Sequence, residues 1–233
     1  MKRWLTAMLS VCLIFLAAVP AYCQRGTVGV DFGQTSDKFG GLTANGGFEG
    51  ILEGEGIVLK SSDRDHGADV IAGGEVRFPS DTASHAKEFA VFGGVAFHFG
   101  KGFSAGFHGQ VRRIYLPPTV EGTQTFYRAR LSVLELPGFL EYKFGPNRHA
   151  FLRADGGAEF NPHFHYSVGN GLPNPNLDHG YMMRGTLGYV FGKWYAKGFY
   201  ETRYFKFRNN LGNPSGLYNW RDDVVAGGVG LVF

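Results

Sequence analysis

Apolar and polar residues alternate at period two over most of this chain. Successive side chains of a strand point to opposite faces, so such a segment splits by parity into two rows. In His149 to Asn161 one row reads Ala150, Leu152, Ala154, Gly156, Ala158 and Phe160, and the other His149, Phe151, Arg153, Asp155, Gly157, Glu159 and Asn161. One face is apolar and the other is charged. Phe89, Val91, Gly93, Val95, Phe97 and Phe99 alternate with Glu88, Ala90, Phe92, Gly94, Ala96 and His98. After Gly100-Lys101, Phe103, Ala105, Phe107, Gly109 and Val111 alternate with Ser104, Gly106, His108, Gln110 and Arg112, which predicts a hairpin. Tyr181, Met183, Gly185, Leu187, Tyr189 and Phe191 alternate with Met182, Arg184, Thr186 and Gly188, then turn at Gly192-Lys193 into Trp194 to Arg208. There Lys197, Glu201 and Arg203 share one face, and Trp194, Ala196, Tyr200 and Tyr204 the other. Arg128 to Phe144 is a further strand, joined to His149 by Gly145-Pro146-Asn147, with Glu135, Glu141 and Lys143 on one parity. Its apolar row changes phase near Val133-Leu134, which predicts a bulge there.

These strands run about 12 to 16 residues, against a mode of roughly 5 to 6 in soluble proteins, and ~9 to 11 tilted residues cross a bilayer core. They are of membrane length. The connections are asymmetric: Gly100-Lys101, Gly145-Pro146-Asn147 and Gly192-Lys193 are tight, whereas Leu116 to Tyr127, Pro162 to Gly180 and Asn209 to Asn219 are long and rich in Gly, Pro and Asn. That asymmetry matches the periplasmic and extracellular ends of an outer-membrane barrel. Aromatics gather near strand ends, at Tyr115, Phe126, Tyr127, Trp194, Tyr195, Tyr218 and Trp220, where an interfacial girdle is expected.

Three hairpins and a last strand account for seven strands. Gly26 to Gly33, Ala44 to Lys60 and Gly67 to Phe78 are further candidates, the last with Asp69, Ile71, Gly73, Glu75 and Arg77 on one row. If one of them spans, the count is eight, and if all three do it is ten. Either is even, which keeps both termini on one side. The expected fold is therefore all-β: a closed antiparallel transmembrane β-barrel of 8 to 10 strands in meander order.

The first residues carry a different signal. Lys2 and Arg3 precede an apolar stretch from Leu5 to Ala18, and Val19-Pro20-Ala21-Tyr22-Cys23 supplies small residues at signal-peptidase spacing. Residues 1–23 are read as a signal peptide and 24–233 as the barrel. Downstream, no apolar run approaches the ~18 residues of a transmembrane helix. Lys2 and Arg3 are two of the 23 basic residues, so the remaining 21 face 20 acidic ones, and nucleic acid is a poor partner. Cys12 and Cys23 both lie in the signal region, which leaves no internal disulfide for the exported chain. The 36 glycines fit curvature and close approach in a barrel wall.

Lipid offers backbone groups no hydrogen-bonding partners, so the sheet must close and the charged rows must face inward. Glu75, Arg77, Arg112, Arg153, Asp155, Glu159, Arg184, Lys197, Glu201 and Arg203 supply both signs to such a lumen. Small barrels are filled by side chains, which predicts a plugged interior. Neither a phosphate-binding loop nor a metal-ligand spacing is present; His163 and His165 are two apart, with no third ligand fixed by spacing. No cofactor or metal is expected.

The last strand carries a resemblance. Val225, Gly227, Val229, Leu231 and Phe233 form one row that ends on a C-terminal aromatic. This resembles the terminal-strand signal of bacterial outer-membrane barrels, and the chain is similar to the small OmpA/OmpW-like barrels. The resemblance implies outer-membrane localisation, contact with membrane lipid and lipopolysaccharide, and handling by periplasmic chaperones and the barrel-assembly machinery. It implies a structural or surface ligand-binding role, with a narrow solute channel as the alternative. A second, local resemblance covers about fifteen residues. His165-Tyr166-Ser167, followed by Asn170, Pro173 and Asp178-His179, is similar to the His-x-Ser region of the outer-membrane lipid A deacylases. That likeness implies His165 as general base, Ser167 as nucleophile and Asp178 as the orienting carboxylate of an acyl-ester hydrolase. By parity, His165 and Ser167 continue the row of Arg153, Asp155 and Glu159, which predicts that they face the lumen.

Overall fold

A computed structural model of the chain describes residues 25–39, 42–63, 66–80, 86–115, 119–121, 124–126, 130–165, 176–208 and 219–233. The expected signal segment lies outside the described residues. The strands are β1 (Arg25–Phe39), β2 (Leu42–Leu59), β3 (Ala68–Pro79), β4 (Lys87–His98), β5 (Phe103–Tyr115), β6 (Thr119–Glu121), β7 (Gln124–Phe126), β8 (Arg130–Phe144), β9 (Ala150–His165), β10 (Asn176–Phe191), β11 (Trp194–Arg208) and β12 (Asn219–Val232). Ten of them close into one barrel in the order β1-β12-β11-β10-β9-β8-β5-β4-β3-β2, while β6 and β7 form a separate small hairpin. Each strand pairs antiparallel with its sequence neighbour in the wall, and β1 pairs with β12 to close it. All three N-terminal candidates span, so the strand count is ten.

The seam is regular to its last residue. Thr27 is opposite Val232 and Phe39 opposite Trp220, with no register shift between them. Gly26 and the terminal Phe233 exchange backbone hydrogen bonds of 3.0 Å in both directions. Closure thus gives a ladder partner to strands that would otherwise be exposed edges.

Arg25 at the start of β1, Phe233 and the tight turns at 100–102, 145–149 and 192–193 lie at one end, the turn end. At Gly100-Lys101-Gly102 all three residues have positive φ, and Phe103 N–H donates to the Gly100 carbonyl at 2.9 Å. Gly102, at φ 86°, also has no room for a Cβ against the Lys143 carbonyl. Gly102→Ala is expected to cost about 1–3 kcal/mol through backbone strain alone. Urea unfolding of the refolded protein in micelles measures it.

The parity rows become the two surfaces of the barrel. Val91, Phe107, Val111, Leu152, Met183, Leu187, Val225 and Val229 stand exposed on the outside, an apolar exterior that in water would be a very large uncovered patch. Glu88, Arg112, Glu159, Glu201 and Arg203, on the alternate positions, are buried inside. An apolar outer face over a charged lumen is the inverse of a soluble domain and the arrangement of a transmembrane barrel.

Several sequence expectations are corrected by register. The girdle reading included both members of Trp194-Tyr195, but adjacent residues of a strand point opposite ways, and only Trp194 faces out. Tyr195 and Trp220 are buried in the lumen, where Trp220 stacks on Phe205 with ring centroids 5.0 Å apart and its Nε1–H donates to Asp37 at 2.9 Å. The row of β8 keeps its phase through Val133 and Leu134: Val133 points inward as Glu135 does, and the two apolar neighbours face opposite sides. The irregularity is real, but its extra residue lies across the ladder on β9, where Leu134 pairs with Phe160 and Ser132 with His163. Much of Pro162 to Gly180, expected as a loop, is strand, because β9 runs on to His165 and β10 begins at Asn176. Within Leu116 to Tyr127 lies the β6-β7 hairpin.

Candidate functional site: charge layers across the lumen

Strand pairing alone sets up conflicts inside the barrel. Glu53 lies opposite Glu75 on neighbouring strands, and Glu135 opposite Glu159. Like charges at directly opposed positions destabilise a ladder. For the first pair the compensating cations come from across the lumen. Arg184 of β10 donates from Nη2 to Glu53 at 2.8 Å and from Nη1 to Glu75 at 3.1 Å, so one guanidinium bridges the first pair across the lumen. Lys197 of β11 also bonds Glu53 and lies 3.2 Å from Asp31.

Nearer the loop end, three arginines fill the cross-section. Arg77 of β3 donates to Glu75 at 2.7 Å and, from Nη2, to both oxygens of Glu201 on β11 at 2.7 Å. Arg112 of β5 reaches Glu88 at 2.6 Å, Glu135 at 2.8 Å and Glu75 at 2.9 Å. Arg203 of β11 donates to Glu88 at 2.7 Å and Glu201 at 2.8 Å, and its Nε lies 3.3 Å from Glu159. β4 and β11 stand diametrically opposite in the ten-strand order, so the Arg203–Glu88 bond spans the full lumen. The side chains of Arg77 and Arg203 are 0% exposed.

A third group lies toward the turn end. Arg153 donates to Asp155 at 2.9 Å and to Glu55 on the opposite wall at 3.0 Å, with its guanidinium 4.3 Å from the centroid of Phe139. Arg184 sits 3.8 Å over the ring of Phe199 in the same way. Aromatic faces and aliphatic stems thus pack the space between ions.

The ten charged residues singled out from the sequence, Glu75, Arg77, Arg112, Arg153, Asp155, Glu159, Arg184, Lys197, Glu201 and Arg203, all lie in this interior. Sequence reasoning omitted five of their partners: Asp31, Glu53, Glu55, Glu88 and Glu135. Glu88 and Glu135 already stood on rows read by parity, whereas Glu53 and Glu55 sit on β2, whose rows are blurred by glycine. The other candidates do not enter this site. Ser167 lies outside the described residues. His165 is placed only by its backbone, opposite Arg130, beyond the register shift that interrupts the row of Arg153 and Glu159. Asp178 lies in β10 at the register shift between Leu177 and His179, without a ladder partner on β11. Val225, Val229 and Leu231 form the outward row of β12, and Phe233 follows directly after the strand.

Between the arginine layer and the turn end the lumen opens into a cavity of about 880 Å³, lined by residues that include Lys60, Asp69, His98, Ser104, Arg148 and Arg153. Among the described residues no group of three or more His, Cys, Asp or Glu side chains is disposed to hold a metal ion.

The closed antiparallel order, the apolar exterior and the charged interior define a transmembrane β-barrel, the fold class of bacterial outer-membrane proteins. No family model matches the chain, and no curated protein matches it. Among solved structures, the chain is similar to the outer-membrane protease OmpT of Escherichia coli, at 10% identity and a TM-score of 0.49 over 90% of this chain and 97% of that one. It is also similar to the translocator domain of the autotransporter NalP of Neisseria meningitidis, at 11% identity and a TM-score of 0.39, covering 98% and 97% of the two chains. The outer-membrane protein OprG of Pseudomonas aeruginosa gives 12% identity and a TM-score of 0.36, covering 91% and 97%.

Proposed function

We propose that the chain is an integral outer-membrane barrel with a structural or ligand-binding role, closed to the passage of solutes. In this reading the segment 1–23 directs export, the turn end faces the periplasm, and the outward row of β12 together with Phe233 serves the assembly machinery. Lipid and lipopolysaccharide are its surroundings. One observation carries the closure: Arg77, Arg112 and Arg203, each fully or almost fully buried, bind carboxylates of neighbouring and opposite strands across the whole lumen. A solute would have to part several charge-assisted hydrogen bonds within a low-dielectric interior, which a freely conducting pore does not require.

Planar-bilayer recording tests this directly. The reconstituted protein is expected to give a flat current trace, and discrete conductance steps of an open pore would overturn the reading in favour of a channel. A separate expectation concerns the His-x-Ser segment. Lipid A from cells making the native protein and from cells making Ser167→Ala should give identical mass spectra; loss of an acyl chain with the native protein alone would instead make His165 and Ser167 catalytic.

A further inference from the structure

The cavity at the turn end holds a hydrogen-bonded chain that the charge layers do not use. Ser104 Oγ lies 2.9 Å from His98 Nδ1, and His98 Nε2 lies 3.0 Å from Asp69 Oδ2. The three residues come from three successive strands. His98 and Ser104 are direct register partners on β4 and β5, and Asp69 is opposite Ala96, one step diagonally from His98. Asp69 is itself fixed, because its other oxygen accepts the Ser61 backbone N–H at 2.8 Å. All three line the cavity.

From this arrangement we infer a Ser–His–Asp hydrolytic centre at the turn end of the lumen, acting on short-chain acyl esters of small, water-soluble alcohols. The inference goes beyond the scaffold reading and rests on it only for the side of the membrane from which substrate arrives. The roles follow from the bonds. Asp69 accepts from His98 Nε2–H, which fixes the tautomer that leaves Nδ1 free to accept the Ser104 hydroxyl proton. Ser104 Oγ then bonds to the ester carbonyl carbon while its proton passes to Nδ1 and the carbonyl π pair moves to oxygen. Collapse breaks the bond to the alcohol oxygen, which leaves with the proton from Nδ1. Water repeats the sequence on the acyl-serine, its proton passing through His98 back to Ser104 Oγ, and releases the carboxylic acid.

The surroundings set the substrate class. One step deeper along the same three strands the inward positions are Ile71, Ala96 and Gly106, the last covered by the ring of Phe139, and Ile71, Ala96 and Phe139 form one buried apolar cluster with Ile57 packed against it. Of this cluster Ile57 lines the cavity, which gives a short acyl chain an apolar contact there. Toward the opening the wall is polar: Glu141 faces Ser104 in register, and Lys143 lies 3.0 Å from Glu141. A small soluble alcohol suits that rim, and a long lipid chain does not.

The test uses the refolded full barrel in detergent micelles, where both ends are accessible, with a short-alkyl fluorophosphonate as probe and p-nitrophenyl butyrate as substrate. Peptide mass mapping is expected to place the phosphonate on Ser104. Hydrolysis is expected to be lost in Ser104→Ala and to fall at least about 100-fold in His98→Ala, the usual scale of a general base. Asp69→Asn should also slow it while leaving far-UV circular dichroism and the unfolding midpoint near those of the native barrel. An unlabelled native protein with intact β-sheet signal would overturn the inference, as would a label on Ser167 or any other serine. Labelling by a membrane-impermeant fluorophosphonate in intact cells would place the site at the outer surface. That result contradicts the proposed orientation and leaves the Ser104 chemistry to the micelle result.

Discussion

Replacing Arg203 by alanine is expected to destabilise the barrel by about 3–5 kcal/mol, the usual cost of removing one partner from a buried ion cluster. Arg203 holds Glu88 at 2.7 Å, Glu201 at 2.8 Å and Glu159 at 3.3 Å, and its side chain is 0% exposed. Without it three carboxylates share a water-poor interior, and Glu159 already faces Glu135 across the β8-β9 ladder. The cluster does not exceed a well-packed apolar interior in net stability, since desolvating so many ions offsets most of their attraction. What it does is couple opposite walls. Arg203→Lys should recover only part of the loss, because a single ammonium does not reproduce the forked donors that reach Glu88 and Glu201 together. Equilibrium unfolding in urea, with the refolded protein in micelles or vesicles, reads both variants.

The second large effect belongs to the outer face. Leu187 on β10 is an exposed outward residue that faces Leu152 on β9, between Tyr181 and Tyr189 on its own row. Leu187→Arg is expected to cost ~2–4 kcal/mol in a bilayer, as for a cation near the midplane, whereas Phe191→Lys at the rim should cost at most about 1 kcal/mol. Equal penalties at both positions would mean that the outer row does not meet hydrocarbon. The two variants differ little in charge and size, so depth is the variable compared.

The pattern of these effects shows what was legible in the sequence. Strands β4, β5 and β9 to β12 carry apolar residues on one parity and charges or small residues on the other, and their tight turns carry Gly where positive φ is required. β2 gave a weaker reading because Leu52, Gly54, Gly56 and Val58 alternate with Ile51, Glu53, Glu55 and Ile57, which puts apolar residues on both faces and glycine where a side chain would mark the outside. β1 was seen only in its first half, since Gln34, Ser36 and Lys38 continue the outward row as polar residues toward the loop end.

The site was legible as composition and not as pairing. Parity places Arg77 and Glu201 in one lumen, but only the closed strand order brings β3 within reach of β11. The same limit hid Asp69, His98 and Ser104, which stand on rows read from the sequence and meet through register alone. A short linear motif around His165 and Ser167 drew attention precisely where residues are adjacent in sequence. Three polar side chains on neighbouring strands have no such signature.

The most direct test of the charge-closed lumen is a double-mutant cycle on Arg203 and Glu88, residues on diametrically opposed strands. Unfolding free energies of the native barrel, Arg203→Met, Glu88→Gln and the double variant give their coupling. A closed lumen predicts a coupling within the ~0.5–3 kcal/mol range of contacting residues. Additivity within about 0.3–0.5 kcal/mol would mean that the two walls do not touch, and would contradict it.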